Sequence, residues 1–249
     1  MNDLEYEIIG DDMQAVKIRL KEKQNINAET GAFMYMDSNI AMDTHMEGGV
    51  LGGLKRILSK ESLFLTKFTC NKGEGEVVFS GPYPGKIIPT NITKDKPILC
   101  QSDAYLCSTE GVKVSIAFTK RLGAGFFGGE GFILQKLEGE GTAFVHSGGT
   151  VIEKTLNSGE KLRVDTGCIV AFDANVDYDI QFIGGIKNAL FGGEGLFLAT
   201  LTGPGKIKLQ TLPFSRLADR IINASRLGRE EVRRGTATSK TLSNITSGD

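Results

Sequence analysis

Apolar and polar residues alternate along much of the chain. Val16, Ile18 and Leu20 are separated by Lys17 and Arg19, and Val112, Val114, Ile116 and Phe118 by Lys113, Ser115 and Ala117. Tyr178, Ile180 and Phe182 are spaced by Asp179 and Gln181, and Ile207 and Leu209 by Lys208. A period of two sends successive side chains to opposite faces, so each run predicts a strand with one buried and one wet face. Between such runs lie Gly73-x-Gly75, Gly139-x-Gly141 and Gly203-x-Gly205. Glycine reaches positive φ without steric cost, and these elements therefore predict hairpin turns. Near the end the pattern changes. Ser215 can cap a helix carrying Leu217, Ile221 and Ala224 on one face, and the polar residues after Leu227 predict a loosely ordered tail.

The strand pattern recurs. Residues 85–148 align without a gap to residues 149–212 at a constant offset of 64. Identical pairs include Gly85/Gly149, Val112/Val176, Ile116/Ile180, Phe127/Phe191, Glu130/Glu194, Leu134/Leu198 and Gly141/Gly205. A diverged copy precedes these, with Thr30, Gly31 and Asp37 matching Thr166, Gly167 and Asp173. The expected organisation is a lead-in at 1–12, β repeats at 13–84, 85–148 and 149–212, a helix at 213–227 and a tail at 228–249. One unit of this size buries too little surface to stand alone, and neighbouring copies can cover each other's edges. The fold class expected is all-β: three tandem sandwich- or barrel-like repeats, with a closed pseudo-threefold ring as the natural arrangement and an open row as its alternative, plus a short C-terminal helix.

Composition narrows the function classes. The formal net charge of −1 gives no overall field to draw the chain to nucleic acid or anionic lipid. No stretch approaches the length of a membrane-spanning helix, and residues 1–20 lack the apolar run of a signal peptide. Cys70, Cys100, Cys107 and Cys168 form no C-x-x-C pair and sit in or beside apolar runs, which predicts buried free thiols and a cytoplasmic location.

Candidate chemistry is sparse. F-G-G-E-G at 127–131 and 191–195 lacks the following Lys-Ser/Thr and helix of a phosphate loop, so a structural role is expected. Glu61, Glu130 and Glu194 occupy equivalent repeat positions and would converge on a threefold axis. There three carboxylates could hold a cation, or each could serve its own loop or pair with Lys55, Lys120 or Lys187. His45 and His146 are too few for a zinc site, and His146, ending a strand-like run, is expected at the surface. The mixed-sign run at 226–234 reads as a solvated segment. No catalytic residue, cofactor or metal ligand is assigned.

The duplicated F-G-G-E-G-[LF]-[FI]-L followed by L-x-G-x-G, the earlier Gly48-Gly49 and Gly52-Gly53-Leu54-Lys55-Arg56, and the closing Leu212-Pro213-Phe214-Ser215-Arg216-Leu217 resemble one known family. It is the altered-inheritance-of-mitochondria (mitochondrial biogenesis) family, and the resemblance runs from about residue 5 to 222. The resemblance implies a β fold similar to that of the tryptophan RNA-binding attenuation protein, repeated within the chain. A fungal relative is associated with organisation of the mitochondrial inner membrane, and the family supplies no catalytic residues. The chain departs from the pattern at Ser59-Lys60-Glu61-Ser62, where the later copies have Gly-Gly-Glu-Gly.

The function expected is that of a non-enzymatic scaffold or protein-partner-binding module, with self-association or a protein partner. Two alternatives stand beside it: a nucleic-acid-binding module by fold analogy, and a small-ligand or metal carrier.

Overall fold

The computed structural model describes residues 4–46, 64–120, 132–183 and 196–224, apart from 219 and 223. Among them, nineteen strands make the chain mostly β, in four sheets. The first segment holds β1 (Glu5–Ile9), β2 (Ala15–Lys21), β3 (Asn25–Glu29), β4 (Phe33–Met36), β5 (Ile40–Met46), β6 (Phe64–Cys70) and β7 (Glu74–Ser80). The next holds β8 (Gly85–Ile92), β9 (Ile98–Gln101), β10 (Tyr105–Thr109), β11 (Val112–Lys120), β12 (Phe132–Gly139) and β13 (Gly141–Gly148). The last holds β14 (Val151–Leu156), β15 (Lys161–Asp165), β16 (Ile169–Asp173), β17 (Asp177–Ile183), β18 (Leu196–Thr202) and β19 (Gly205–Gln210).

Alternation sets the faces as expected. Val16, Ile18 and Leu20 are buried, as are Val112, Val114, Ile180 and Ile207, while Arg19, Lys113 and Asp177 point to solvent. The chain steps between sheets at short 3-10 turns, Thr30–Ala32, Ser102–Ala104 and Thr166–Cys168. Every strand ladder is antiparallel, and the sheets run β1-β2-β7-β4, β5-β6-β3-β10-β13-β8, β11-β12-β9-β16-β19-β14 and β15-β18-β17. The two six-stranded sheets are therefore shared between the segments that the sequence divides at 84/85 and 148/149.

The G-x-G elements do not close hairpins. β6, β12 and β18 lie in different sheets from the strands that follow them, β7, β13 and β19. Gly73, Gly139, Gly141 and Gly205 do have positive φ, but they turn corners between sheets. Close approach requires the missing side chain: a Cβ on Gly141 would strike Thr109 Oγ1, and one on Gly139 the Gly111 carbonyl. Among the described residues consecutive strands pair at β1–β2, through residues 10–14, and at β5–β6, β11–β12 and β17–β18, whose connections lie outside the described residues.

Among the described residues the core forms three clusters, and each mixes residues from consecutive segments. Val16, Ile18, Phe68 and Phe79 pack with Leu106, Cys107 and Phe144. Leu65 packs with Ile92, Tyr105 and Leu137, and those with Val170 and Ala171. Leu99, Phe132 and Leu134 join Phe172, Val176, Phe197 and Leu201. Among the described residues no closed barrel is found, and no ladder joins β4 to β15.

Residues 214–249 form a separate unit, whose described part is a short helix beginning at Phe214, with Ile221 and Ile222 exposed. No helix of the described residues is long and apolar enough to cross a membrane.

Candidate functional site

The most distinctive geometry is where sheets pass from one segment to the next. At the first such seam β3 meets β10, with Ala28 opposite Cys107 and Asn27 opposite Ser108. At the second β9 meets β16, with Cys100 opposite Ala171 and Leu99 opposite Phe172. The registers are equivalent at the 64-residue offset of β10 and β16. Each receiving strand also carries the same register shift against its inner neighbour, β10 against β13 between Tyr105 and Cys107, and β16 against β19 between Ile169 and Ala171. A β-bulge of this kind bends a strand and re-aims its side chains, here burying the bulged Leu106 and Val170.

Polar groups reinforce the first seam. The Tyr105 hydroxyl donates to the Asn27 carbonyl at 3.1 Å and lies 2.9 Å from Ser108 Oγ. Glu110 accepts from Lys67 Nζ at 2.9 Å and from Asn25 Nδ2 at 3.0 Å, and these bonds, the lysine first, hold its carboxyl below the usual range.

β4 and β15 are the strands that would make a third seam. β4 has the same bulge against β7, between Phe33 and Tyr35. Among the described residues no strand pairs with its outer edge. Met34 is 52% and Tyr35 48% exposed, whereas their counterparts Leu106, Cys107, Val170 and Ala171 are at most 3% exposed. Among the described residues β15 pairs with β18 alone. The other terminal strands of the described sheets carry the usual blunting residues: β8 Pro89, β5 Asp43, β11 Lys113, β14 Glu153 and Lys154, β17 Asp177 and Asp179, and β1 Glu5 and Glu7. β4 reads Phe-Met-Tyr-Met, with no charge and no proline.

A second distinctive place is the crossover from β7 to β8. His146 of β13 is buried, against the surface position expected for it, because residues 81–85 fold over it. Its ring meets Tyr83 edge-on at 4.6 Å, and a Cβ on Gly81 would overlap the imidazole. Among the described residues Nδ1 has no hydrogen-bond partner, nor does the Oγ of the next residue, Ser147. Burial lowers the His146 pKa below 6.5, opposed by a hydrogen bond to the Tyr83 backbone. The Tyr83 phenol is pushed up to about 12 by burial and then by Asp103. Gln210 takes the corresponding place on β19, accepting from the Gly148 amide at 2.8 Å and donating to the Gly167 carbonyl at 2.7 Å.

Of the residues singled out from sequence, Glu61, Glu130 and Glu194 lie outside the described residues. So do both F-G-G-E-G segments, Lys55, Lys187 and residues 226–234. His45 stands on β5 opposite Leu65. Cys70, Cys100 and Cys107 are buried free thiols, and Cys168 is half-buried. Burial pushes the Cys100 thiol up to about 12 and raises Cys107 well above its ordinary value, so neither is a thiolate nucleophile at neutral pH. Among the described residues no three His, Cys, Asp or Glu side chains gather as a metal site.

The model of a family described as mitochondrial biogenesis AIM24 matches residues 6–212. An uncharacterised protein of Streptococcus pyogenes serotype M6 is 26% identical over 211 residues, which span 82% of this chain and 83% of the relative. The crystal structure of a Streptococcus pyogenes protein, a structural genomics target, superposes with a TM-score of 0.73 at 25% identity. That match covers 89% of this chain and 99% of the other.

Proposed function

Because this chain belongs to the mitochondrial biogenesis AIM24 family, whose match covers every strand from β2 to β19, we propose that it is a non-enzymatic assembly module that binds protein partners, itself included. The observation that carries this reading is strand sharing. Each six-stranded sheet is half one segment and half the next, so the architecture is made of surfaces that join extended strands edge to edge. In this reading the chain is three consecutive modules of one fold, similar to that of the tryptophan RNA-binding attenuation protein. It works in the cytoplasm and needs no cofactor.

The test is the native mass of protein purified gently from its own source, compared with its denatured mass. Species made of protein alone, either this chain in multiple copies or this chain with another protein, are expected. A stoichiometric metal, small molecule or nucleic acid in the native species would overturn the reading.

A further inference from the structure

The two complete sheets follow one rule. The hairpin and second strand of one segment (β5-β6-β3, then β11-β12-β9) meet the third, sixth and first strands of the next (β10-β13-β8, then β16-β19-β14). Two half-sheets remain. They are β17-β18-β15 at the end of the series and β4-β7-β2 at its start, the latter extended by β1. Each half offers the edge that the other lacks.

We propose that β15 of one chain pairs with β4 of a second copy, continuing the series head to tail. The occupant is another copy because the seam it would form already exists twice in the chain, in one register. The same step carries the first segment to the second and the second to the third, and after these steps β15 has not reached β4. A heterologous contact of this kind recruits further copies until rotation closes the ring. Equivalent register places Val164 opposite Tyr35, Arg163 opposite Met36 and Leu162 opposite Asp37. Charge agrees with that pairing: β15 brings Lys161 and Arg163, and the rim beside β4 holds Asp37 and Glu76. The seam would cover Met34 and Tyr35, the exposed residues of an edge with no gatekeeper of its own.

The pairing rests on the self-binding part of the proposed function, and site-specific cross-linking tells the two apart, since a different protein as partner would satisfy the wider reading and not this one. Chains carrying Tyr35→Cys and chains carrying Val164→Cys are co-expressed, oxidised, and resolved without reductant. Each variant expressed alone is the control for the native thiols. A covalent dimer in the mixture, absent from both controls, is expected, and the Tyr35→Cys/Val164→Cys double variant should give a ladder of dimers and larger species. An internally linked double variant running as a single chain would overturn the proposal in favour of closure within the chain. The unaltered protein, which carries no folding risk, should have a native mass that is a multiple of the chain mass. A monomer, or a multimer whose mixture fails to cross-link, would equally overturn it.

Discussion

Phe68 gives the sharpest test of how the core is built. It is 1% exposed on β6, stacked on Phe33 of β4 at 5.2 Å and met edge-on by Phe79 of β7 at 5.1 Å. The ring therefore ties the sheet holding β6 to the one holding β4 and β7. Phe68→Ala removes a fully buried ring and leaves a cavity lined by strands fixed in their ladders, which limits collapse. The expected cost is about 3–5 kcal/mol, of which each aromatic pair accounts for roughly 0.5–1.5 kcal/mol beyond area burial. For a folded unit of this size each kcal/mol shifts Tm by about 2–4 °C. The chain has no tryptophan, so urea unfolding is followed by far-UV circular dichroism and tyrosine fluorescence together. Coincident transitions license the free-energy difference. Phe33→Ala and the double variant complete a cycle, in which a coupling of at least about 0.5 kcal/mol is expected. A loss below about 1 kcal/mol for Phe68→Ala, or zero coupling to Phe33, would refute the idea that this trio joins the two sheets.

Other outcomes follow from the same structure. His146 has a folded pKa below its unfolded value, so its contribution to stability is complete above about pH 6.5 and is lost as pH falls through the folded pKa. His146→Gln, which installs the side chain found at Gln210, should flatten the midpoint-versus-pH curve below that point; an unchanged slope would count against it. Gly85→Ala places a Cβ against the Ser147 carbonyl and Gly205→Ala combines φ +150° with Val176, so each should lose about 2 kcal/mol or more in urea. β1 is held partly by Glu5–Arg19 at 2.9 Å and Glu7–Lys17 at 2.6 Å, both exposed. Glu5→Gln/Glu7→Gln should speed amide exchange at residues 5–9 in low salt, with little difference from the parent in high salt. Alkylation of the native protein should modify Cys168 well before Cys100 or Cys107; the reverse order would contradict their burial.

How far the sequence was legible depends on whether the signal was local. Burial of Val16, Ile18 and Leu20 follows from a period of two within one strand, and the structure agrees. Positive φ at Gly139 and Gly141 was equally local. What those turns connect was not, because the sheet that β13 joins depends on β8 and β10, which lie outside the turn. The same holds for His146. Its place at the end of an apolar run suggested the surface, but the Gly81–Gly85 crossover, some sixty residues earlier, covers it. The repeat of Thr-Gly at Thr30-Gly31 and Thr166-Gly167 was visible as self-similarity. It marks the turns at which the chain leaves one sheet for another, a role that needs the ladders on both sides. The open edges of β4 and β15 had no sequence signature except the missing charge and proline in Phe33–Met36.

Strand sharing also fixes the order of events as the chain leaves the ribosome. Residues 13–84 emerge as a complete repeat, yet β3 finds its outer neighbour only when β10 has been made, and that sheet is finished only with β13. Until about residue 109 is synthesised, the nascent N-terminal third presents an unpaired edge on β3, next to Ile26 and Ala28 that β10 helps to bury, and β10 in turn waits for β13. Closure across so many residues is slow, and an uncovered edge invites wrong partners. The protein thus trades early, independent folding of its units for late, mutual completion, and its synthesis is expected to lean on chaperones that hold extended strands.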